Sequence, residues 1–354
     1  MNYDRLSIER TPMMKQTSFT SDTKNEGDSR RAEGPGWRLQ VDPEGEGERL
    51  DRFISRRLPR VSRSRASRLE VWRLSDDDQF ISKLKKSVKL RAGELLWVKR
   101  PPPQEDLSTL IDPTLIDESD EFLVIDKPPG WVAHPTASRY ESAITTWLKR
   151  QGINAQPAHR LDAETSGVLL CVRDPKLESE VNRLFLNHEV EKRYLAISRV
   201  TDEGDRRLKL GERRWEERRP LGFDLHSSVG IKMGCGGLES YTSCELIDRW
   251  HSSTNGEHRC LIRARPRTGR QHQIRVHLSL GGVPIIGDKL YGRDESYFLK
   301  HLNGELTEND FDELGHHRQA LHAETLGFTW RGAEFEWSSQ LPADLRGLLA
   351  SRAN

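Results

Sequence analysis

The sequence predicts a mixed α/β or α+β protein, because short buried strands alternate with amphipathic helices along most of the chain. The apolar runs Glu121–Ile125 and Gly167–Val172 indicate two buried strands, and Arg193–Ser198 indicates a third. A helix is predicted between the second and third strands, where Asp174 can cap it and Pro175 takes the favoured first position.

The chain has 354 residues, which is more than one typical domain. Residues 1–36 are polar and lack apolar periodicity, so we expect a disordered tail. Residues 37–103 are expected to form a small domain and a linker, since three consecutive prolines interrupt the pattern at 101–103. We assign residues 104–354 to a larger domain.

The sequence favours a cytoplasmic protein. No apolar run reaches the roughly 18–20 residues of a membrane-spanning helix, and the N-terminus lacks the apolar core of a signal peptide. The four cysteines show no Cys-x-x-Cys spacing, so a thiolate zinc site is not expected and reduced thiols are the simplest interpretation.

The charge of the chain is unevenly distributed. The net charge is +1, yet Arg49–Arg100 contains 16 Lys or Arg and 6 Asp or Glu, a local net charge of +10. A basic module on a mildly acidic body predicts a polyanionic partner. The alternative is a solvated, arginine-rich surface that has no partner.

Two helices and a strand are predicted in the small domain. Arg49–Leu58 carries an apolar stripe of helical spacing. Ser62 or Ser64 can cap a second helix that runs to about Leu74. Leu95–Val98 has the composition of a short strand. In the larger domain, the charged stretch 212–219 is expected to be a solvated excursion.

The segment His159–Gly167 is a candidate functional loop, because it directly precedes a buried strand. Asp162 is its candidate catalytic carboxylate; the alternative is a turn-capping aspartate with Arg160 as a surface partner. A hydrolase nucleophile at Ser166 is disfavoured, because the Gly-x-Ser-x-Gly frame is absent.

The segment Arg267–Leu278 is the second candidate. The spacing of Ile274 and Leu278 fits a helix, although a strand fits the alternation as well. Its three arginines suit recognition of a phosphate or carboxylate, or they form a solvated basic face. His272 and His277 are spaced awkwardly for one metal, so we expect hydrogen-bonded structural histidines.

These motifs together resemble the RluA family of RNA pseudouridine synthases, and Arg49–Arg100 is similar to an S4 RNA-binding domain. The resemblance rests on five motifs in register, namely Asp126–Gly130, His159–Gly167, Lys192–Ala196, Gly269–Leu278 with Gly287–Gly292, and Leu321–Ala323. It implies an α+β pseudouridine synthase fold with a mixed, mainly antiparallel central sheet and an active-site cleft, beside a small S4-like α/β domain.

The resemblance also implies a function. The expected activity is isomerisation of uridine to pseudouridine in structured RNA, with large-subunit (23S) ribosomal RNA favoured over transfer RNA. We expect no cofactor, no metal, no membrane partner and a monomer. Two other hypotheses are an inactive RNA-binding or ribosome-assembly factor, and a metal hydrolase that uses His159, His272 and His277.

Residue roles follow from the motif positions. Asp162 matches the family's essential aspartate, which either attacks C1′ of the target ribose or abstracts a ribose proton. Tyr194 matches the tyrosine that packs on the flipped uracil. Arg275 matches the basic partner of the aspartate. Arg160 matches the arginine that holds the place of the flipped nucleotide in the stack. The other expected contacts are His159, Thr165, Arg270 and His272 for the substrate, and Arg63, Arg65, Arg68 and Lys85 for the RNA backbone.

The chain departs from the family pattern in three places. Gln271 stands where the family usually has Thr. Asp76–Gln79 replaces the usual Val-Asn-Gly turn of the S4-like module, and Asp202–Pro220 is unusually rich in charge.

Overall fold

The computed structural model describes residues 36–58, 61, 63–67, 69–99, 105–136, 139–209 and 211–352. The chain divides into two compact units, the first ending at residue 101 and the second beginning at residue 102. The predicted disordered tail lies outside the described residues, apart from Gly36. Within the described part of the chain, no helix is long and apolar enough to cross a bilayer.

The described residues of the first unit form two short α-helices, a single 3-10 turn at Pro43–Gly45 and a four-stranded antiparallel sheet. Its elements are β1 (Gly36–Gln40), α1 (Leu50–Arg57), α2 (Arg63–Ala66), β2 (Glu70–Leu74), β3 (Phe80–Lys83) and β4 (Leu95–Lys99). The strand order is β1-β4-β2-β3. The apolar stripe of α1 and the inward side chains of β2 and β4 form one hydrophobic core, which includes Phe53, Ile54, Val71 and Leu96.

The predicted second helix of this unit is wrong beyond its first turn. The helix α2 ends at Ala66, and Glu70–Leu74 is the strand β2, which pairs with β4. Leu69 and Val71 are both buried, an alternation of period two that suits a strand. The β-branched Val71 and the aromatic Trp72 also favour a strand.

The sequence Asp76–Gln79 forms the turn between β2 and β3. Asp78 adopts a left-handed conformation with φ of 60°, which aspartate tolerates better than most residues. Its carboxylate accepts a hydrogen bond from Arg38 Nε at 2.7 Å. The turn therefore forms without the Val-Asn-Gly sequence.

The second unit is built on a ten-stranded mixed sheet. Its elements are β5 (Thr114–Glu118), β6 (Phe122–Lys127), α3 (Ile144–Arg150), β7 (Gln156–Pro157), β8 (Ser166–Val172), α4 (Pro175–Leu186), β9 (Glu191–Arg199), α5 (Asp202–Lys209), β10 (Arg214–Glu217), β11 (Leu221–Phe223), β12 (Met233–Cys235), β13 (Thr242–His251), β14 (His258–Pro266), α6 (Gln273–Leu280), α7 (Ser296–Asn303), α8 (Glu308–Leu314), β15 (Leu321–Trp330), β16 (Ala333–Ser338) and α9 (Ala343–Ala350).

The sheet order among the described residues is β10-β13-β14-β9-β15-β8-β6-β5, with β16 also paired to β15 and β7 to β8. The pairing of β8 with β15 is parallel, and the other pairings described for this sheet are antiparallel. The predicted mixed, mainly antiparallel sheet is therefore confirmed, as is the α+β class.

The central strand β8 is buried on both faces, as its continuous apolar run predicts. Val168 and Leu170 point into one hydrophobic cluster, while Leu169 and Cys171 point into another. Gly167, the second residue of this strand, has φ +115°, and a Cβ there would lie 2.1 Å from the carbonyl oxygen of Ala323. Only glycine allows the parallel strands to approach this closely next to the loop that carries Asp162.

In the second unit, the helix predicted after Asp174 is confirmed, the choice left open for Arg267–Leu278 falls to a helix, and the loop prediction for 212–219 is wrong. Asp174 caps α4 by accepting the amide of Lys176 at 2.9 Å, and the second candidate segment forms the helix α6, not a strand. The stretch 212–219 is not a solvated excursion, because Arg214–Glu217 is the edge strand β10. Trp215 and Glu217 of that strand are buried.

Candidate active site

A cavity of about 420 Å³ opens at one end of β9, between the loop 158–165 and the start of α6. Its wall includes all eight residues that the sequence predicts for catalysis or substrate contact in this unit, which are Asp162, Tyr194, Arg275, Arg160, His159, Thr165, Arg270 and His272. Residues from three separate segments of the sequence therefore meet at one concave site, as a binding pocket requires.

The loop that carries Asp162 is held at several points by side chains from residues 289–319. Lys289 Nζ contacts the carboxylate of Glu164 at 2.7 Å, and Arg318 Nη1 donates to the Glu164 carbonyl at 2.9 Å. Gln319 Nε2 donates to Thr165 Oγ1 at 2.6 Å. These bonds fix the loop on the C-terminal side of Asp162, and they form only once the chain has folded.

Arg275 lies on α6 between two carboxylates. Its Nη1 donates to Asp162 Oδ2 at 2.9 Å, while Nε and Nη2 donate to the two oxygens of Asp288 at 2.7 and 2.8 Å. The side chain of Asp288 is 0% exposed, and it also accepts the amides of Leu290 and Tyr291. The bidentate pair with Asp288 orients the guanidinium so that one nitrogen remains for Asp162.

The electrostatics of this group keep Asp162 ionised. Burial is the largest single influence and raises the pKa of the Asp162 carboxyl, but the charge and hydrogen bond of Arg275 act together with His272 and Arg160 to hold the pKa below its usual value. Burial opposes the charge of Arg275 as well, yet the carboxylates of Asp288 and Asp162 raise the pKa of the guanidinium. A charged carboxylate is therefore present in the cavity at neutral pH.

Tyr194 lies in the middle of the sheet, on β9 between β14 and β15. Its ring packs against hydrophobic clusters on both sides, and among the described residues no hydrogen bond is made by its hydroxyl. Burial and the charge of Asp162 raise the pKa of the Tyr194 hydroxyl above its usual value, so the hydroxyl is protonated at neutral pH. The ring is rigidly held and accessible from the cavity.

Two histidines of the cavity wall, His159 and His272, are neutral. Burial lowers the pKa of His159 to about 3, and its Nε2 accepts the amide of Leu170 at 3.1 Å. Burial, with a contribution from Arg275, lowers the pKa of His272 to about 4. His272 Nδ1 is hydrogen-bonded to the hydroxyl of Tyr291 at 2.8 Å.

Arg270 and Arg160 differ in how they are held. Arg270 is half-buried, and its Nε donates to the carbonyl of Glu239 at 3.0 Å. Arg160 is exposed, and within the described part of the chain its side chain makes no hydrogen bond or ion pair. Arg160 is therefore free to move toward a ligand.

The four predicted RNA-backbone residues belong to the first unit. Arg63 is exposed and pairs with Asp51 at 3.1 Å, and Lys85 is exposed. The side chain of Arg65 is not described, and Arg68 lies outside the described residues.

His277 does not reach the cavity, and it is a hydrogen-bonded structural histidine. Its Nδ1 contacts Thr242 Oγ1 at 2.8 Å and its Nε2 contacts Ser240 Oγ at 2.8 Å. Among the residues that the structure describes, no three His, Cys, Asp or Glu side chains lie close enough to hold a metal ion. Ser166 is buried on β8 and bonded to His322 Nδ1 at 3.0 Å.

Sequence reasoning missed Asp288, Tyr291, Lys289 and Gln319. The motif Gly287–Gly292 contains the first three and drew attention to this segment, but nothing in its pattern reveals which side chain meets Arg275. The available signal was the presence of charged residues in this loop, because a charged residue that becomes buried needs a partner.

The comparison with known proteins decides the family. The profile described as RNA pseudouridylate synthase matches residues 121–280. The ribosomal large subunit pseudouridine synthase D of Xanthomonas campestris is 30% identical over 325 residues, which cover 86% of this chain and 89% of that protein. This chain belongs to the RNA pseudouridine synthase family. It is therefore an enzyme, an isomerase that acts on RNA.

Two further relatives extend the match over most of the chain. The ribosomal large subunit pseudouridine synthase D of Neisseria meningitidis is 28% identical over 356 residues, covering 95% of this chain and 88% of that protein. The uncharacterized RNA pseudouridine synthase YlyB of Bacillus subtilis is 29% identical over 330 residues, covering 88% of this chain and 96% of that protein. The profile match includes Asp162, Tyr194 and Arg275, while Asp288 lies beyond its end.

Proposed function

We propose that this enzyme converts uridine to pseudouridine in large-subunit ribosomal RNA, and that Asp162 acts on the ribose of a flipped-out uridine. The observation that carries the proposal is the ionised, partly buried carboxylate of Asp162, held by Arg275, which Asp288 orients, in a cavity that also exposes the ring of Tyr194. The names of the Xanthomonas and Neisseria relatives support ribosomal RNA as the substrate.

The reaction explains why such a cavity is needed. A C–N glycosidic bond breaks and a C–C bond forms at the same ribose carbon, with no atom gained and no change of redox state. The base cannot react inside a stack, so it leaves the stack at a cost of a few kcal/mol. An aromatic platform returns about 1–3 kcal/mol per base.

Each residue of the cavity takes a role in this scheme. Asp162 attacks C1′ or removes a ribose proton, and either step requires the ionised form that Arg275 maintains. Tyr194 supports the uracil while it rotates. Arg160, exposed at the rim, fills the place that the flipped nucleotide leaves in the stack.

The other predicted contacts surround the nucleotide. Thr165 and His272 are held by Gln319 and Tyr291, so they present fixed polar atoms to the substrate. Arg270 and His159 complete the wall on either side. Fixed polar groups orient a ligand without an ordering cost at the time of binding.

We expect Tyr194→Ala to weaken binding of the flipped base by about 1–3 kcal/mol, because the platform is lost. Tyr194→Phe keeps the ring and should bind nearly normally. If the hydroxyl helps to remove the C5 proton, the Tyr194→Phe variant should also release tritium from C5-labelled RNA more slowly than the wild type. Tyr297→Ala, a half-exposed tyrosine on α7, is the control. Full activity of both Tyr194 variants would remove the residue from the site.

We also propose that residues 37–103 form an S4-like RNA-binding domain and linker, and residues 104–354 the catalytic domain. The local net charge of +10 over Arg49–Arg100 supports this. Some of that charge is internally paired, since Arg56 pairs with Asp42 and Glu48. Of the four residues predicted to contact the RNA backbone, Lys85 is the one that the structure describes as exposed and without an ion pair among the described residues, so we test it first.

We expect Lys85→Ala to reduce the salt dependence of RNA binding. Each phosphate contact contributes about 0.7–0.9 to the slope of log affinity against log salt concentration. The measurement is filter binding of large-subunit ribosomal RNA over a salt series. Lys149→Ala, an exposed lysine on α3, is the control. A slope that matches the wild type would place Lys85 outside the RNA interface.

The substrate proposal is tested by mapping pseudouridines in total RNA from cells with and without the gene. We expect specific uridines of large-subunit ribosomal RNA to remain unmodified in the deletion strain. Loss of modification only in transfer RNA would overturn the choice of substrate and identify the other candidate. No lost site in any RNA would overturn the proposed function.

A further inference from the structure

Lys192 shares a wall of the cavity with Tyr194. The two residues are two positions apart on β9, so their side chains lie on the same face of the sheet, about 7 Å apart along the strand. Both line the cavity. Arg193, between them, lies on the opposite face, where its Nη2 contacts Glu336 at 2.6 Å.

The ammonium of Lys192 lies against an aromatic ring, and no acidic side chain in the described part of the chain pairs with it. Its Nζ is 5.8 Å from the centroid of Phe185, whose ring lies 5.3 Å from that of His159. Among the described residues, Lys192 makes no ion pair, whereas Arg275 in the same cavity holds two carboxylates.

This arrangement is unfavourable in the free enzyme. Lys192 is half-buried. A charge that is partly withdrawn from water without a partner costs free energy, and burial lowers the pKa of Lys192 to about 8. The contact with Phe185 returns only a small part of this cost. An anion that enters the cavity would remove the penalty, and the natural anion of an RNA ligand is its phosphate.

We propose that Lys192 binds a backbone phosphate of the RNA next to the uridine that enters the cavity. This inference rests on the proposed function, which places that uridine between Tyr194 and Asp162. A lysine ammonium is a compact point charge on a flexible stem, well suited to a phosphate oxygen. The carbonyl oxygens of uracil carry no formal charge and would compensate the ammonium less well.

A phosphate contact is made equally in the ground state and in the transition state. Its loss therefore raises KM and leaves kcat nearly unchanged. We expect Lys192→Gln to raise KM about tenfold or more, since hydrogen bonds to charged groups contribute about 1.5–3 kcal/mol. The slope of log affinity against log salt should fall by about 0.7. Lys192→Arg keeps the charge and should restore both values.

The experiment uses the full chain and a transcript of large-subunit ribosomal RNA labelled with tritium at uridine C5. Tritium release gives kcat and KM, filter binding of the same transcript over about 50–200 mM salt gives the slope, and thermal melts report stability. Lys149→Gln is the matched control, because this exposed lysine lies outside the cavity wall.

Three results would overturn the inference. A raised KM with an unchanged salt slope would mean that Lys192 contacts a neutral group. Unchanged KM and slope would mean that it contacts no RNA. Equal losses in Lys192→Gln and Lys192→Arg with lowered melting temperatures would mean a structural role. Absence of tritium release by the wild type would instead count against the proposed function, and the filter-binding slope would still test Lys192.

Discussion

We expect Asp162→Asn to leave the fold and RNA binding intact and to make no detectable pseudouridine. The amide oxygen of asparagine can still accept the bond that Arg275 Nη1 donates at 2.9 Å, so the loop keeps its position. The variant lacks the ionised carboxylate that both chemical schemes require. If Asp162 abstracts a proton, the loss is about 10²–10⁴-fold; if it is the nucleophile, no covalent step remains.

The stability of this variant follows from the lowered pKa of Asp162. A carboxyl whose pKa is lower in the folded state stabilises the fold above its unfolded pKa of about 3.9, and the contribution is lost as the pH falls through the folded value. Asp162→Asn should therefore be slightly less stable than the wild type at neutral pH and equally stable in acid. Tritium release and thermal melts over pH are the measurements. Asp202→Asn, an exposed aspartate of α5, is the control.

Arg275→Met should be the most destabilising single substitution in the cavity wall. It leaves Asp288, which is fully buried, and Asp162 without their common cation. Removal of one partner from a buried ion pair costs about 3–5 kcal/mol, because the remaining charge is uncompensated. Urea unfolding measures the loss. Arg331→Met removes an exposed arginine that pairs with Glu121, and should cost no more than about 1 kcal/mol.

The same substitution changes the pH dependence of activity. Without the guanidinium, burial is the dominant influence and raises the pKa of Asp162. The fall of kcat/KM on acidification should therefore begin at a higher pH in Arg275→Met than in the wild type. Arg275→Lys keeps a charge but cannot make the bidentate contact with Asp288. Its stability and its activity at acidic pH should therefore lie between those of the wild type and those of Arg275→Met. A wild-type pH profile in Arg275→Met would show that Arg275 does not control Asp162.

Local sequence signals predicted the elements whose periodicity is long and unambiguous. The capped helix α4 and the strands β6 and β8 follow from apolar patterns that tertiary contacts reinforce. The second helix of the small domain failed because a short apolar run fits a period of 2 as well as 3.6. Pairing with β4 decided the conformation of Glu70–Leu74, and the sequence of the segment does not encode that partner.

The candidate site shows the same division. The motif positions predicted three site residues, Asp162, Tyr194 and Arg275. The side chains of all three line the same cavity. The role of Asp288 depends on the approach of the segment 285–292 to α6, a contact between distant elements. The lack of an ion pair at Lys192 among the described residues is likewise a property of the folded cavity. It depends on where the fold places the carboxylates.

The most direct test of the site is pseudouridine mapping in cells whose chromosomal gene encodes Asp162→Asn. Total RNA from this strain is compared with RNA from the wild type and from a strain that lacks the gene. We predict that the Asp162→Asn strain and the deletion strain lose the same uridine modifications in large-subunit ribosomal RNA. Sites that the deletion loses and the Asp162→Asn strain retains would contradict the assignment of Asp162 as the catalytic residue.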